Sequence, residues 1–306
     1  MSSLVDFRGT LYGTTASGGN YSISGGTVYS FTTSGAEQVI HDFGPSKDGQ
    51  GPASEPVAAN GVFYGTTPYG GKYGSGVAYS LAPSGEEHVI HNFGKVPDGK
   101  SPATGLTVFN GTLYGTTQGG GRHNGGTVFA ISASGKEHVV HNFGKTFKDG
   151  RDPTGALIVV KGVLYGTTSS GCGTVFSLTT NGEEKTLHTF NCRYGDGGSP
   201  DGALIAVKDT LYGVTFLGGD QYQSGADGTV YSVTTSGKER VLHTFGEGND
   251  GKEPEGALVL FNGKLYGVTY GGGRYYDGGT VFSITTTGTE QILYSFGGSA
   301  DDGKVP

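Results

Sequence analysis

Short apolar runs alternate with glycine-rich turns along the whole chain, and this pattern repeats six times. The most regular run is Leu-Tyr-Gly-Thr-Thr or a close variant, and its tyrosines are Tyr12, Tyr64, Tyr114, Tyr165, Tyr212 and Tyr266. Six copies in 306 residues give a repeat of about 51 residues. A period of this length is typical of propellers and solenoids, so the repeat is the first guide to the fold.

Each copy contains four segments that we predict to be β-strands. In the fourth copy the first segment is the apolar run Ala156–Val160, and a Lys-Gly pair separates it from the Leu-Tyr-Gly-Thr-Thr run. Such X-Gly pairs between apolar runs indicate tight hairpins. In the third copy, Thr127–Ser132 and His138–Phe143 supply the third and fourth segments, after a long glycine-rich loop.

The six copies join in register. Each copy ends in Asp-Gly-x-x-Pro, and the strand expected four residues after Pro306 begins at Leu4. A solenoid would need atypical capping repeats, which the sequence lacks. We therefore predict an all-β, six-bladed β-propeller with four antiparallel strands per blade, forming one domain over residues 1–306. The expected blades are approximately residues 1–51, 52–101, 102–152, 153–199, 200–253 and 254–306.

Composition removes several other classes of protein. With 61 glycines a helical bundle is disfavoured, and the glycines lack the every-third spacing of collagen. The 18 tyrosines and 16 phenylalanines argue against disorder. A net charge of −7 argues against nucleic acid as a partner, and no apolar run approaches the roughly 20 residues of a membrane span. The expectation is a soluble monomer.

The repeated residues resemble a known family. Leu-Tyr-Gly-Thr-Thr, then Gly-Thr-Val-Phe-Ser, then His-x-Phe and Asp-Gly-x-x-Pro are similar to the GloVer tandem repeat, and the likeness covers all six copies. The resemblance implies an extracellular or cell-surface setting, although the first predicted strand follows Met1 without an apolar leader. A trimmed or engineered domain is one interpretation of that start. The resemblance supplies no catalytic residues.

The long loops are the expected place for function. Loops on a rigid scaffold carry most binding residues, and here they lie on one end of every predicted blade, opposite the tight hairpins. Their side chains include aromatic and basic residues suited to a glycan or protein ligand: Tyr21, Tyr69, Tyr73, Arg122, His123, Tyr222, Arg274, Tyr275 and Tyr276. The alternative is that these rings only shield glycine-rich backbone.

A second group of candidates follows the prolines that end the repeats. Glu55, Asp201 and Glu255 lie just after them, near the expected mouth of the central channel. Three carboxylates there could hold a cation or serve as acid and base. Together with His123, whose loop position has no histidine in the other copies, they are the residues to test for catalysis.

Other chemistry-bearing residues have structural interpretations. Five copies carry a histidine at one repeat position, where the sixth carries Tyr294, and a residue repeated around a ring is poorly suited to a single active site. The Asp-Gly turns offer one carboxylate each, too few for calcium. We therefore predict no metal site among the repeated residues and no cofactor, and a cation at the channel mouth is left open.

Cys172 and Cys192 are the only cysteines, and both fall in the fourth copy at the same end of the predicted blade. A disulfide between them is geometrically feasible and would suit an oxidising, extracellular compartment. Two free thiols are the alternative.

These observations favour a non-enzymatic, extracellular-type propeller that binds a ligand, a glycan being one candidate and a protein another, on the long-loop face. One alternative is a hydrolase or lyase with its active site at the channel mouth. Another is a structural or engineered scaffold without a small-molecule ligand.

Overall fold

Six four-stranded antiparallel sheets make up the computed structural model, and in each sheet the strands follow chain order. The structure describes residues 4–21, 25–44, 47–52, 54–102, 104–146, 148–192, 195–219, 227–275, 278–299, 302–304 and 306. Within these ranges no helix is long and apolar enough to cross a membrane. Each sheet has four antiparallel strands, as predicted for a blade. The strand ends predicted in the third and fourth copies lie within about two residues of the observed ones, whereas the first two strands of the last two sheets are longer than predicted.

The chain divides into two compact units, Met1–Leu157 and Ile158–Pro306. The first unit holds three blades. Blade 1 is β1 (Val5–Phe7), β2 (Thr10–Thr15), β3 (Thr27–Thr32) and β4 (Glu37–Asp42). Blade 2 is β5 (Val57–Ala59), β6 (Val62–Thr67), β7 (Val77–Leu81) and β8 (Glu87–Asn92). Blade 3 is β10 (Thr107–Phe109), β11 (Thr112–Thr117), β13 (Thr127–Ile131) and β14 (Glu137–Asn142), beside the short pair β9 (Gly99–Lys100) and β12 (Gly119–Gly120).

The second unit holds the other three blades. Blade 4 is β15 (Ile158–Val160), β16 (Val163–Thr168), β17 (Thr174–Leu178) and β18 (Glu184–Thr189). Blade 5 is β19 (Gly197–Val207), β20 (Thr210–Gly218), β21 (Thr229–Thr234) and β22 (Glu239–Thr244). Blade 6 is β23 (Gly251–Phe261), β24 (Lys264–Gly272), β25 (Thr280–Thr285) and β26 (Glu290–Ser295).

Neighbouring blades within a unit bury apolar residues against each other. Tyr165 of blade 4 is 6% exposed and belongs to one cluster with Leu211, Tyr231 and Val233 of blade 5. The same position in blade 5, Tyr212, packs with residues of blade 6. The tyrosine of the repeated run is thus a core residue between blades, and its burial explains why the run recurs in every copy.

The glycine of the same run makes room for an aromatic ring. Gly115 pairs with Phe129 on the adjacent strand, and a methyl group added at Gly115 would lie 2.5 Å from Phe129 Cζ. Gly65 has the same relation to Tyr79. The approaching group is the side chain of the cross-strand partner, which covers the glycine within the same blade.

A β-bulge recurs between the third and fourth strands of every blade. In blade 3 the register shifts between Val128 and Phe129, so that Val128 pairs with His141 while Phe129 pairs with Val139. A bulge re-aims the side chains that follow it. Here those side chains are the repeated histidine and the phenylalanine two residues later.

Candidate functional site

Each repeated histidine contacts the aspartate of the Asp-Gly-x-x-Pro segment in its own copy. His91 Nε2 lies 2.9 Å from Asp98 Oδ2, and His243 Nε2 lies 2.9 Å from Asp250 Oδ2. The carboxylate also accepts backbone N–H groups, so that Asp98 is bonded to Gly94 and Gly99. This histidine–aspartate clasp fastens the loop between blades to the last strand. It supports the structural interpretation of both residues.

A glutamate from the following blade lies beside the clasp. His91, Asp98 and Glu137 have ligand-type atoms within 4.8 Å of one another in the first unit. The same holds in the second unit for the trio of His188, Asp196 and Glu239 and for that of His243, Asp250 and Glu290. Burial, together with the charge of Asp98, raises the pKa of Glu137 to about 7, although the nearby His91 opposes the shift. The trios in each unit therefore place a carboxyl group of one blade beside the histidine–aspartate contact of the blade before it.

Blade 6 departs from this pattern on the long-loop side. Tyr294 stands at the histidine position, and its hydroxyl donates a hydrogen bond of 3.1 Å to Asp302 Oδ1. The Gly298 N–H donates to the other carboxylate oxygen at 3.0 Å. The Gly298 bond above all, with that from Tyr294, holds the pKa of Asp302 below its usual value, so the group is a carboxylate at neutral pH.

An open groove of about 410 Å³ surrounds this hydrogen bond. It is lined by Tyr275, Tyr294, Ser295, Gly298, Ser299 and Asp302. Tyr275 is 47% exposed and Tyr294 49% exposed. The Arg274 guanidinium lies 5.9 Å from the centre of the Tyr275 ring. We call the six lining residues the blade-6 groove. The groove combines two exposed rings with a carboxylate and hydroxyl groups, and Arg274 lies next to it.

One side of the Tyr275 ring packs against the backbone at Gly298. A methyl group added at Gly298 would lie 2.9 Å from Tyr275 Cε2, so the ring rests on this glycine. Tyr21 rests on Gly44 in the same way in blade 1, with a corresponding distance of 3.4 Å to Tyr21 Cε2. Shielding of glycine-rich backbone, the alternative raised from the sequence, therefore accounts for one side of these rings. The remaining surface is exposed to solvent.

The first unit exposes three of the predicted loop tyrosines. Tyr21 is 52% exposed, Tyr69 61% and Tyr73 39%. Two cations lie near Tyr73, with Lys72 Nζ and Lys95 Nζ at 5.5 and 5.7 Å from its ring centre. Cations therefore lie beside both the Tyr73 ring and the Tyr275 ring.

The remaining loop candidates do not form one site within the described residues. Arg122 and His123 are exposed, and the Arg122 backbone N–H donates to Asn142 Oδ1 at 2.8 Å. Tyr222 and Tyr276 lie outside the described residues.

Two of the three predicted channel-mouth acids are neighbours in the second unit. Asp201 Oδ2 accepts a hydrogen bond of 2.9 Å from the Gly256 N–H, next to Glu255. Burial and the charge of Asp201 raise the pKa of Glu255. Glu55 is a half-buried residue of the first unit. The second unit therefore presents Asp201 and Glu255 as a pair of neighbouring acids.

Cys172 and Cys192 are joined by a disulfide in blade 4, with 5.4 Å between their Cα atoms. The bond links the loop before β17 to the segment after β18. It therefore ties two loops at the long-loop end of one blade.

Sequence comparison identifies the family. The Gloeobacter/Verrucomicrobia repeat matches residues 1–173 and 146–306, and the chain belongs to this family, as the repeated motifs predicted. No curated protein matches the chain in sequence.

Structural comparison confirms the fold. The chain is similar to the computationally designed Ika8 protein, with a TM-score of 0.56 and 14% identity over 97% of this chain and 74% of the other. It is also similar to the extracellular domain of BT4673 of B. thetaiotaomicron, described as a putative one-component system, with a TM-score of 0.62 and 12% identity over 96% of this chain and 35% of that one. At these identities the likeness concerns fold alone. The fold is an all-β, six-bladed propeller with four antiparallel strands per blade, as predicted.

Proposed function

We propose that the protein is a ligand-binding propeller of extracellular type that binds carbohydrate through the long-loop end of its blades. The observation that carries this proposal is the blade-6 groove, where the exposed rings of Tyr275 and Tyr294 flank the carboxylate of Asp302. A sugar presents an apolar C–H face and a rim of hydroxyl groups. Aromatic rings suit the former, and a charged acceptor such as a carboxylate makes strong hydrogen bonds to the latter.

The character of the groove also suits weak, selective recognition. Tyrosine provides a large contact area with few rotatable bonds, while serine hydroxyls adapt to different hydrogen-bond partners. Ser295 and Ser299 supply such hydroxyls beside the rings. The neighbouring Arg274 adds a cation, so a sugar that bears an acidic group is the favoured variant of this ligand class.

An extracellular setting is part of the same proposal. The Cys172–Cys192 disulfide supports it, because disulfides persist in oxidising compartments and are rare in the cytosol. The BT4673 domain, which is named as extracellular, shares the fold.

A glycan array followed by sugar-dependent thermal shift tests the proposal. We expect a restricted set of sugars to bind and to raise the melting temperature, since a ligand that binds only the folded state stabilises it. Tyr294→His is the matched variant, because histidine occupies this position in the other five blades. It should keep a clasp to Asp302 and weaken sugar binding. Silence across acidic and neutral sugars would contradict the proposal.

The Asp201–Glu255 pair supports a second candidate, acid–base chemistry of a hydrolase or lyase. A carboxyl with a raised pKa beside a second carboxyl is the arrangement that allows one acid to donate and the other to accept a proton. Under this alternative, Glu255→Gln would abolish turnover of a glycoside or uronide substrate, and Tyr294→His would leave turnover unchanged.

A further inference from the structure

A cavity of about 320 Å³ lies between blades 2 and 3 of the first unit, at the end of these blades that carries the tight hairpin turns. Ile90, Leu113 and Ile131 form its apolar wall. Polar side chains stand at its rim, among them Asn60 of one hairpin turn and Ser132 at the start of another. The cavity shares no residue with the blade-6 groove, which belongs to the second unit, so it is separate from the proposed glycan site.

The cavity has a clear cause in the sequence. Ala59, which lines it, is the last residue of β5, directly before the hairpin turn. The residues at this repeat position in the other five blades are all larger: Phe7, Phe109, Val160, Val207 and Phe261. Blade 2 thus lacks the side chain that the repeat otherwise places here.

Blades 1 and 2 show how an aromatic pair fills the equivalent space. Phe7 packs edge-on against Phe63 of blade 2, with ring centres 5.2 Å apart. Phe63 corresponds to Leu113 in blade 3, since both directly precede the tyrosine of the repeated run. Between blades 2 and 3 both members of this pair are therefore smaller, and a phenyl-sized volume that blade 1 fills with its own side chain is left open.

We propose that this cavity binds a small monocyclic aromatic molecule with one polar substituent, a phenol in the simplest case. The ring takes the place that Phe7 occupies between blades 1 and 2, in contact with Leu113 and Ile131. The substituent points to the polar rim formed by Asn60, Ser80 and Ser132. The volume is sufficient, because an apolar cavity of roughly 150 Å³ already holds benzene, and ligand sites commonly combine apolar walls with a few polar groups.

Calorimetric titration of the full chain with phenol tests this proposal. We expect saturable 1:1 binding. Ala59→Phe, which supplies the ring of blades 1, 3 and 6, should abolish that binding. Ala59→Val, the residue of blades 4 and 5, should weaken it by at least about tenfold. Because both substitutions restore a residue that the repeat uses elsewhere, the variants are expected to fold, and a raised melting temperature of Ala59→Phe would report that the cavity has been filled.

Two controls locate the site. Tyr69→Ala removes a ring that is 61% exposed in a long loop and should leave phenol binding unchanged. Tyr275→Ala removes a ring from the blade-6 groove and should also leave it unchanged. Absence of saturable phenol binding, equal binding by Ala59→Phe and the unaltered protein, or loss of binding in Tyr275→Ala would each overturn the proposal.

Discussion

Tyr294 in blade 6 donates its hydroxyl hydrogen to Asp302 at 3.1 Å, in the place where the other blades pair histidine with aspartate. The hydrogen bond that fastens the loop to the last strand is kept, but the side chain that forms it is more exposed to solvent. His243 of blade 5 has a side chain 22% exposed, whereas Tyr294 is 49% exposed and adds an aromatic ring to a groove. The tyrosine at this position thus adds an exposed aromatic ring beside the Asp302 carboxylate.

Replacement of Tyr165 by alanine should be strongly destabilising. The ring is 6% exposed and packs against Leu211 and Tyr231 of the next blade. Removing it leaves a cavity, and aromatic-to-alanine changes in cores lower the free energy of unfolding by about 3–5 kcal/mol. Chemical denaturation measures the change. Tyr69→Ala is the control, because that side chain is 61% exposed and should cost little. Equal midpoints for Tyr165→Ala and the unaltered protein would refute the burial.

Gly115→Ala should destabilise the folded protein, because the added methyl group overpacks the core. It would lie 2.5 Å from Phe129 Cζ, and forcing extra volume into a packed core costs about 1–3 kcal/mol. Gly119→Ala is the matched control, because a methyl group there has no atom within 4 Å and the backbone is not in the left-handed region. Thermal denaturation of the two variants should separate them clearly. If Gly119→Ala melted at or below Gly115→Ala, ring contact would not be the reason for the glycine.

Glu137 should make stability depend on pH. Its pKa rises from 4.5 to about 7 on folding, so between these values the folded protein binds more protons than the unfolded chain. Stability therefore falls as pH rises through this window. Glu137→Gln removes the charge and should gain stability relative to the unaltered protein as pH goes from 4 to 8. Denaturation midpoints across that range measure the difference.

The control for this dependence is Glu183→Gln, because Glu183 lies at an exposed position. Its midpoints across this pH range should run parallel to those of the unaltered protein. A Glu137→Gln curve parallel to that of the unaltered protein would show that Glu137 does not carry a raised pKa.

The Cys172–Cys192 disulfide should contribute measurable stability. It closes a loop with a sequence separation of 20, for which chain entropy predicts about 3 kcal/mol. The double variant Cys172→Ala, Cys192→Ala should lose about that amount on denaturation. Thiol titration of the unfolded, unreduced protein should find no free thiol, and two reactive thiols would contradict the bond.

Much of the fold follows from the sequence because its signals are local and repeated. X-Gly pairs fix hairpins within a few residues, and six copies of the tyrosine run fix the blade period. The contact between His91 and Asp98 is harder to predict from the sequence, because it depends on the bulge that changes the direction of the side chains in the fourth strand. Its sequence signal is the constant spacing of seven or eight residues between the two positions, with Tyr294 replacing histidine only in the last copy.

The candidate sites depend on departures from the repeat, and these are harder to interpret. The loop position of Tyr275 and the proximity of Asp201 to Glu255 follow from strand order, but the groove around Asp302 requires the path of the loop after β26. The cavity beside Ala59 is likewise difficult to predict from the sequence alone. Its small side chain is visible in the sequence, yet only the packing of Phe7 on Phe63 shows what that change leaves open.

The affinity of the strongest array sugar for Tyr275→Ala, set against Tyr21→Ala, tests the central claim most directly. Both tyrosines rest on a glycine of their own blade and are about half exposed, so the two changes remove similar surface. Titration calorimetry should show at least about a tenfold loss for Tyr275→Ala, as expected for an aromatic anchor, and little change for Tyr21→Ala. Equal affinities for both variants and the unaltered protein would contradict binding in the blade-6 groove.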